Sequence, residues 1–336
     1  MKGYKMLNAD MTAMYGSMTY EIGKTYELKE EIIPCKQGFH FCEELTDCLY
    51  HYPNLDNSKR FFEIETGDNV IEKKDKCVTD EITLIRELSL EEVLQYIREN
   101  KNKVNWDVVC RYQKLSEEFI QEFQDRVNWD YISKYQKLSE DFIREFADRV
   151  NWDYVSEYQE LSEDFIREFK DKIDWGYLSI HQKLSEDFIR EFQDELYWEC
   201  LSEYQVLSEE FIKEFKDRVN WVYISIHQKL SEDFIREFKD ELYWGCLSEY
   251  QVLSEEFIKE FKDKIDWDYI SSCQKLSEDF IREFEYELDW DYLSFYQVLS
   301  EDFIREFKNR VNWFYIGEYQ ELSEDFIREF EYRLSL

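Results

Sequence analysis

Cys35, His40, Cys42, Cys48, His51 and Cys77 lie in one N-terminal stretch of this 336-residue chain. Thiols and imidazoles of this kind are zinc donors. Zinc knuckles and ribbons pair their cysteines as C-x2-C. No such pair occurs here, because Cys35, Cys42 and Cys48 follow one another at steps of seven and six. The expectation is packed, reduced thiols, with no metal ligand and no cofactor. The remaining histidines, His181 and His227, occupy a place that equivalent segments fill mostly with Tyr, so they read as packing variants. No nucleophile recurs beside a base and an orienting acid. No catalytic residue is assigned, and the chain is expected not to be an enzyme.

The elements that would position any chemistry are set by tryptophan. Trp106, Trp129, Trp152, Trp175, Trp198, Trp221, Trp244, Trp267, Trp290 and Trp313 follow one another every 23 residues. A period in this range signals stacked supersecondary units. With residues 127–149 as the reference, VNWDYISKYQKLSEDFIREFADR, ten copies fill residues 104–333, and residues 334–336 are a tail. Trp at place 3, Gln at 10, Leu at 12, Ser at 13, Glu at 14, Phe at 16, Ile at 17, Glu at 19 and Phe at 20 are the same in all ten.

Each copy carries two helix starts. Asn128 caps a short helix beginning at Trp129. Ser139, followed by Glu140 and Asp141, suits the N-terminus of a second. Leu138 and Ile143 are placed as a hydrophobic staple. Trp129, Ile132 and Gln136 share the inner face of the first helix, and Phe142, Ile143 and Phe146 that of the second. A single continuous helix would need an apolar step of about 3.8 residues, beyond the roughly 3.5 to 3.67 that helices tolerate. Two antiparallel helices per copy fit better. The predicted fold class is mainly α: an α-solenoid of ten 23-residue two-helix repeats, preceded by a small α+β domain. The ten tryptophans read as the repeat core, so Trp221→Ala is expected to cost about 3–5 kcal/mol. Glu140 and Arg144 read as an i,i+4 pair on a solvated face.

Residues 1–88 form the α+β domain. Alternating stretches fall at 18–28, with a turn near Gly23, at 60–66 and at 81–88, and a helix is expected near 43–52. Residues 89–103 are a linker whose helix, over 89–100, caps the first repeat. The runs GFHFCEE (38–44) and RFFEIETGD (60–68), with Tyr50, Tyr52, Thr79 and IRELS (85–89), resemble a small domain of unknown function found in phage, bacterial and giant-virus proteins. Such a domain followed by tandem Trp-containing repeats is similar to repeat families of giant viruses of amoebae. The resemblance implies a viral protein of the host cytoplasm or the virion, and implies no activity. The order Gly38-x-His40-Phe41, Tyr50, Phe62-Glu63-Ile64 and Gly67 is also similar to the Gly-x-Tyr-Phe…Tyr…Glu-Val…Gly succession of poly-ADP-ribosyltransferase cores. That implies NAD chemistry in the N-terminal domain, targeted by the repeats. Residues 1–30 lack the histidine which that family places on an early strand.

Charge narrows the partners. Residues 1–103 carry 14 Lys/Arg against 20 Asp/Glu, and the rest carry 28 against 57. So acidic a surface repels the phosphates of nucleic acid and anionic membrane faces. No apolar run is long enough to span a bilayer, and the first twenty residues lack a signal-peptide core. A cytoplasmic chain with reduced cysteines is expected. Cys110, Cys200, Cys246 and Cys273 read as substitutions at Ser or Tyr places. Places 4 and 8 of the first helix vary while the scaffold repeats, and several copies are apolar there: Ile180, Val222, Ile226, Phe295 and Phe314. This is the expected partner-binding stripe. The predicted function is a non-catalytic protein–protein interaction scaffold for a basic protein partner. The rivals are the N-terminal enzyme and a self-assembling structural or virion component.

Overall fold

The computed structural model describes residues 1–14, 18–34, 36–51, 60–73 and 76–334. The chain divides into two compact units, Met1–Ile173 and Asp174–Leu336, each treated by itself. The first opens with β1 (Lys2–Leu7), β2 (Thr25–Glu27), β3 (Phe39–Phe41), α1 (Leu45–His51), β4 (Arg60–Thr66), β5 (Val70–Lys73), β6 (Lys76–Thr79), β7 (Glu81–Glu87) and α2 (Leu90–Glu99). An antiparallel sheet runs β1-β4-β7-β2, and a smaller one runs β3-β6-β5. The β4 and β7 strands fall where alternation predicts them. Of the 18–28 stretch only Thr25–Glu27 becomes a strand, after a turn in which Gly23 takes a φ of +80°.

The β1 strand escapes a period-two reading because Gly3, Lys5, Met6 and Leu7 are all buried. It touches the second sheet through Tyr4 and Cys42, whose backbones exchange hydrogen bonds of 2.7 and 2.8 Å. Gly3 permits this approach, since a Cβ there would lie 2.7 Å from the Cys42 carbonyl oxygen.

Both units then carry the same two-helix repeat, three copies in the first and the remaining copies in the second. In the reference copy the helices are Trp129–Tyr135 and Glu140–Glu145. Asn128 Oδ1 accepts from the Asp130 and Tyr131 amides, and Ser139 Oγ from the Phe142 amide, so both predicted caps form. Such caps matter because helices this short leave most of their amides without intrahelical partners. Tyr197 and Tyr243 stand at the Asn place and make no side-chain cap. The core proper is the aliphatic place 6 with Phe at 16 and Ile at 17. Ile224, Phe234 and Ile235, for instance, are at most 1 % exposed.

The tryptophans are a correction to the sequence reading. Trp198 is buried, but Trp106, Trp129, Trp152, Trp175, Trp221, Trp244, Trp267, Trp290 and Trp313 are only partly so. They wall the core rather than fill it. In the reference copy Trp129 lies 4.9 Å from the Phe146 ring, with its indole N–H donating to the Gln124 carbonyl at 3.1 Å. An indole's polar edge favours this half-wet position.

Within the first unit the apolar core is continuous. It runs from Met6, Cys42, Leu45 and Cys48 through Val93 and Ile97 of α2 into the repeats. The α2 helix imitates a repeat. Arg98 pairs with Glu122 at 3.0 Å and covers the Phe119 ring at 5.1 Å, as Arg144 covers Phe165 one repeat further on. Among the described residues no helix is long and apolar enough to cross a membrane.

Candidate functional site

The unvarying polar residues of the repeat prove to be stacking groups. Gln136 ends the first helix in extended conformation, and its side chain turns back to the preceding repeat. There Nε2 donates to the Cys110 and Gln113 carbonyls at 2.7 and 2.8 Å, while Oε1 accepts from the Leu115 amide at 2.9 Å. Gln205, Gln228, Gln251, Gln274 and Gln297 repeat the motif in the second unit. The Glu at place 14 accepts from the next copy's Ser cap, as Glu117 does from the Ser139 amide at 2.5 Å.

Arg144 lies 2.7 Å from Glu168 of the next copy, 2.9 Å from Asp141 and 3.6 Å from Glu140, so it joins the repeats as well as holding to its own helix. Ser133 accepts from the Asn151 amide at 2.9 Å. Cys110 fills the same place in its copy and accepts from Asn128 at 3.4 Å, while burial pushes its thiol up to about 12. It therefore stands in for a structural Ser.

With these groups holding the helices, places 5, 8 and 9 of the first helices form an aromatic face. Arg111 sits over Tyr112, Tyr131 and Tyr135 at 4.9, 6.0 and 5.3 Å from the ring centres. Lys134 sits over Tyr135, Tyr154 and Tyr158 at 5.6, 5.0 and 4.8 Å. Cations so placed are attracted by the ring quadrupole. In the second unit Phe295 fills the equivalent position, 4.4, 5.2 and 4.1 Å from Tyr296, Tyr315 and Tyr319.

At Glu203, Glu249 and Glu318 of that unit place 8 is a carboxylate. The Glu203 carboxylate acts on the phenols of Tyr204 and Tyr223, and that of Glu249 on those of Tyr250 and Tyr269. All four phenols are held above their ordinary range by these carboxylates. Tyr204 and Tyr250 are about half exposed.

The variable residues singled out from the sequence all lie on this side, but not equally in solvent. Phe314 is 66 % exposed, whereas Ile180, Val222, Ile226 and Phe295 are half-buried. Place 8 leans on the next copy's rings. Place 4 varies partly because it faces place 2 of the next copy. Asp107, Asp130 and Asp291 each accept from an Asn there, and Gly176 lies beneath Tyr197. The tyrosines are the candidate functional residues that sequence reasoning left without an assignment. Their recurrence at places 5 and 9 was the available signal.

In the N-terminal domain Cys42, Cys48 and Cys77 are buried thiols; Cys35, Tyr52 and the side chains of Tyr50 and His51 lie outside the described residues. Among the described residues no three His, Cys, Asp or Glu are placed to hold a metal. His40 and Glu63 line different cavities, and Glu63 pairs with Arg86 at 2.7 Å. The β-strands, α1 and α2 make up the α+β region that precedes the repeats. Residues 1–96 match the family described as Domain of unknown function (DUF7666). The match extends into α2, where Tyr96 donates to Glu44 at 2.5 Å and packs edge-on to Tyr4. Comparison with curated proteins and with solved structures gives no match.

Proposed function

We propose that this protein is a non-catalytic interaction scaffold whose tyrosine face takes up a basic, arginine- or lysine-bearing segment of a protein partner. The observation that carries the reading is the pairing of half-exposed tyrosines with carboxylates at Glu203 and Glu249. Arg111 and Lys134 illustrate how a cation sits on such rings. Where place 8 is acidic, a partner supplies the cation. The apolar Ile180, Val222, Ile226, Phe295 and Phe314 flank the same face and anchor the partner's non-polar side chains. The net charge of −35 steers a basic segment inward and disfavours nucleic acid and anionic membranes. The setting we propose is a host cytoplasm or a virion, which rests on the resemblance of the N-terminal domain to giant-virus proteins.

Nona-arginine titrated into the full chain tests the reading. Replacing Tyr204, Tyr250 and Tyr269 by Leu leaves the charge unchanged and removes three rings. At roughly 0.5 kcal/mol per exposed cation–π contact, affinity should fall about tenfold. Unchanged affinity in calorimetry would reduce the interaction to diffuse charge attraction and sink the proposal.

A further inference from the structure

The described residues around Lys5 form a cavity unlike the rest of this acidic chain. Lys5 is 7 % exposed, and its ammonium makes one hydrogen bond to the described residues, to the His40 carbonyl oxygen at 2.6 Å. The Tyr20 ring centre lies 5.1 Å from its Nζ. An ammonium has three donors and no acceptor, and burying it without an anion is costly. Beside it is a cavity of about 290 Å3 lined by Lys76, His40, Met6, Met14 and Tyr20 among others. No carboxylate is among the described residues of that lining, although the chain carries 77. Burial and the two lysines hold the His40 imidazole down to about 4, so it is neutral near pH 7 and can donate or accept. Burial likewise lowers Lys5 to about 8, which still leaves it largely protonated at neutral pH.

We propose that this cavity binds a small organic carboxylate with an apolar body. The carboxylate meets Lys5 and Lys76, and supplies the acceptors that the Lys5 ammonium lacks. The body lies against the Met6 and Met14 thioethers and the Tyr20 ring, surfaces that suit aliphatic or aromatic groups. The volume sits at the lower end of small-ligand cavities, which limits the ligand to about the size of a phenyl- or hexyl-substituted acid. The site is separate from the repeat face, so its failure would leave the scaffold proposal standing.

The test uses the full chain at pH 7 with benzoate, phenylacetate and hexanoate, and benzamide as the uncharged control. At least one acid should bind one-to-one, about tenfold more tightly than benzamide. Lys5→Met should abolish that binding while keeping the fold, and Lys5→Arg should retain part of it. Because a core substitution can prevent folding, a second measurement uses the natural sequence labelled with 13C and 15N at its lysines, whose unmodified side-chain shifts report the titration of the ammonium. Saturation with the bound acid should raise the Lys5 titration midpoint by about one pH unit or more, since an adjacent anion favours the ammonium. If no acid binds better than benzamide at about 10 mM, or Lys5→Met binds equally well, or the midpoint stays put, the proposal is overturned.

Discussion

Phe234→Ala should be the most damaging of the single truncations in its repeat, at about 3–5 kcal/mol. Phe234 is 1 % exposed, 4.7 Å from Phe238 and 6.4 Å from Trp221, so its loss opens a void that neighbouring rings cannot fill. Trp221→Ala should cost less, about 2 kcal/mol. Its ring is already partly exposed, and its indole N–H is held by the Lys216 carbonyl rather than by the core. This reverses the ranking that the tryptophan period suggests. In a repeat protein the damage should be confined to adjacent copies. Native-state amide exchange would then show Trp221–His227, Glu232–Glu237 and their immediate neighbours opening early, with distant copies unchanged. Equal acceleration everywhere would contradict the nearest-neighbour picture.

Gln228→Leu should cost about 3 kcal/mol despite its conserved bulk. Gln228 is 3 % exposed; its Nε2 donates to the Ser202 and Gln205 carbonyls at 3.1 and 2.7 Å, and its Oε1 accepts from the Leu207 amide at 2.9 Å. Leucine fills the space and leaves three buried backbone groups unpaired, each worth about 1–3 kcal/mol when stranded. Gln228→Glu should be at least as harmful, because a carboxylate would face two carbonyl oxygens. Urea unfolding reads both. A loss under about 1 kcal/mol for the leucine variant would mean that water replaces the side chain and that the glutamine ladder does not hold the stack.

The two-helix repeat was legible because its determinants are local. A Ser or Asn cap acts within its own turn, and the spacing of Phe142, Ile143 and Phe146 marks one helix face. What the sequence concealed depends on groups in the next copy. Gln136 looks like an inward-facing residue of its own helix until its backbone is seen to leave the helix. Arg144 looks paired with Glu140, but Glu168 is nearer. Lys5 was invisible as a site because nothing in KGYKML sets it apart from Lys2. Its interest arises only when β3 and Tyr20 enclose it. The places 4 and 8 variation was real in the sequence, yet much of it is fitting between adjacent copies, as at Gly176 and Tyr197.

In the proposed function, the tyrosine face of the first helices receives a basic segment. The variation that distinguishes the first helices from one another also makes their peptides separable by mass. Hydrogen–deuterium exchange on the full chain, with and without saturating nona-arginine, locates the contact. Slower exchange in Trp198–Tyr204, Trp244–Tyr250 and Trp267–Cys273, with Glu209–Glu214 and Glu255–Glu260 unchanged, is the predicted result. Protection centred on the second helices, or none at saturation, would contradict it.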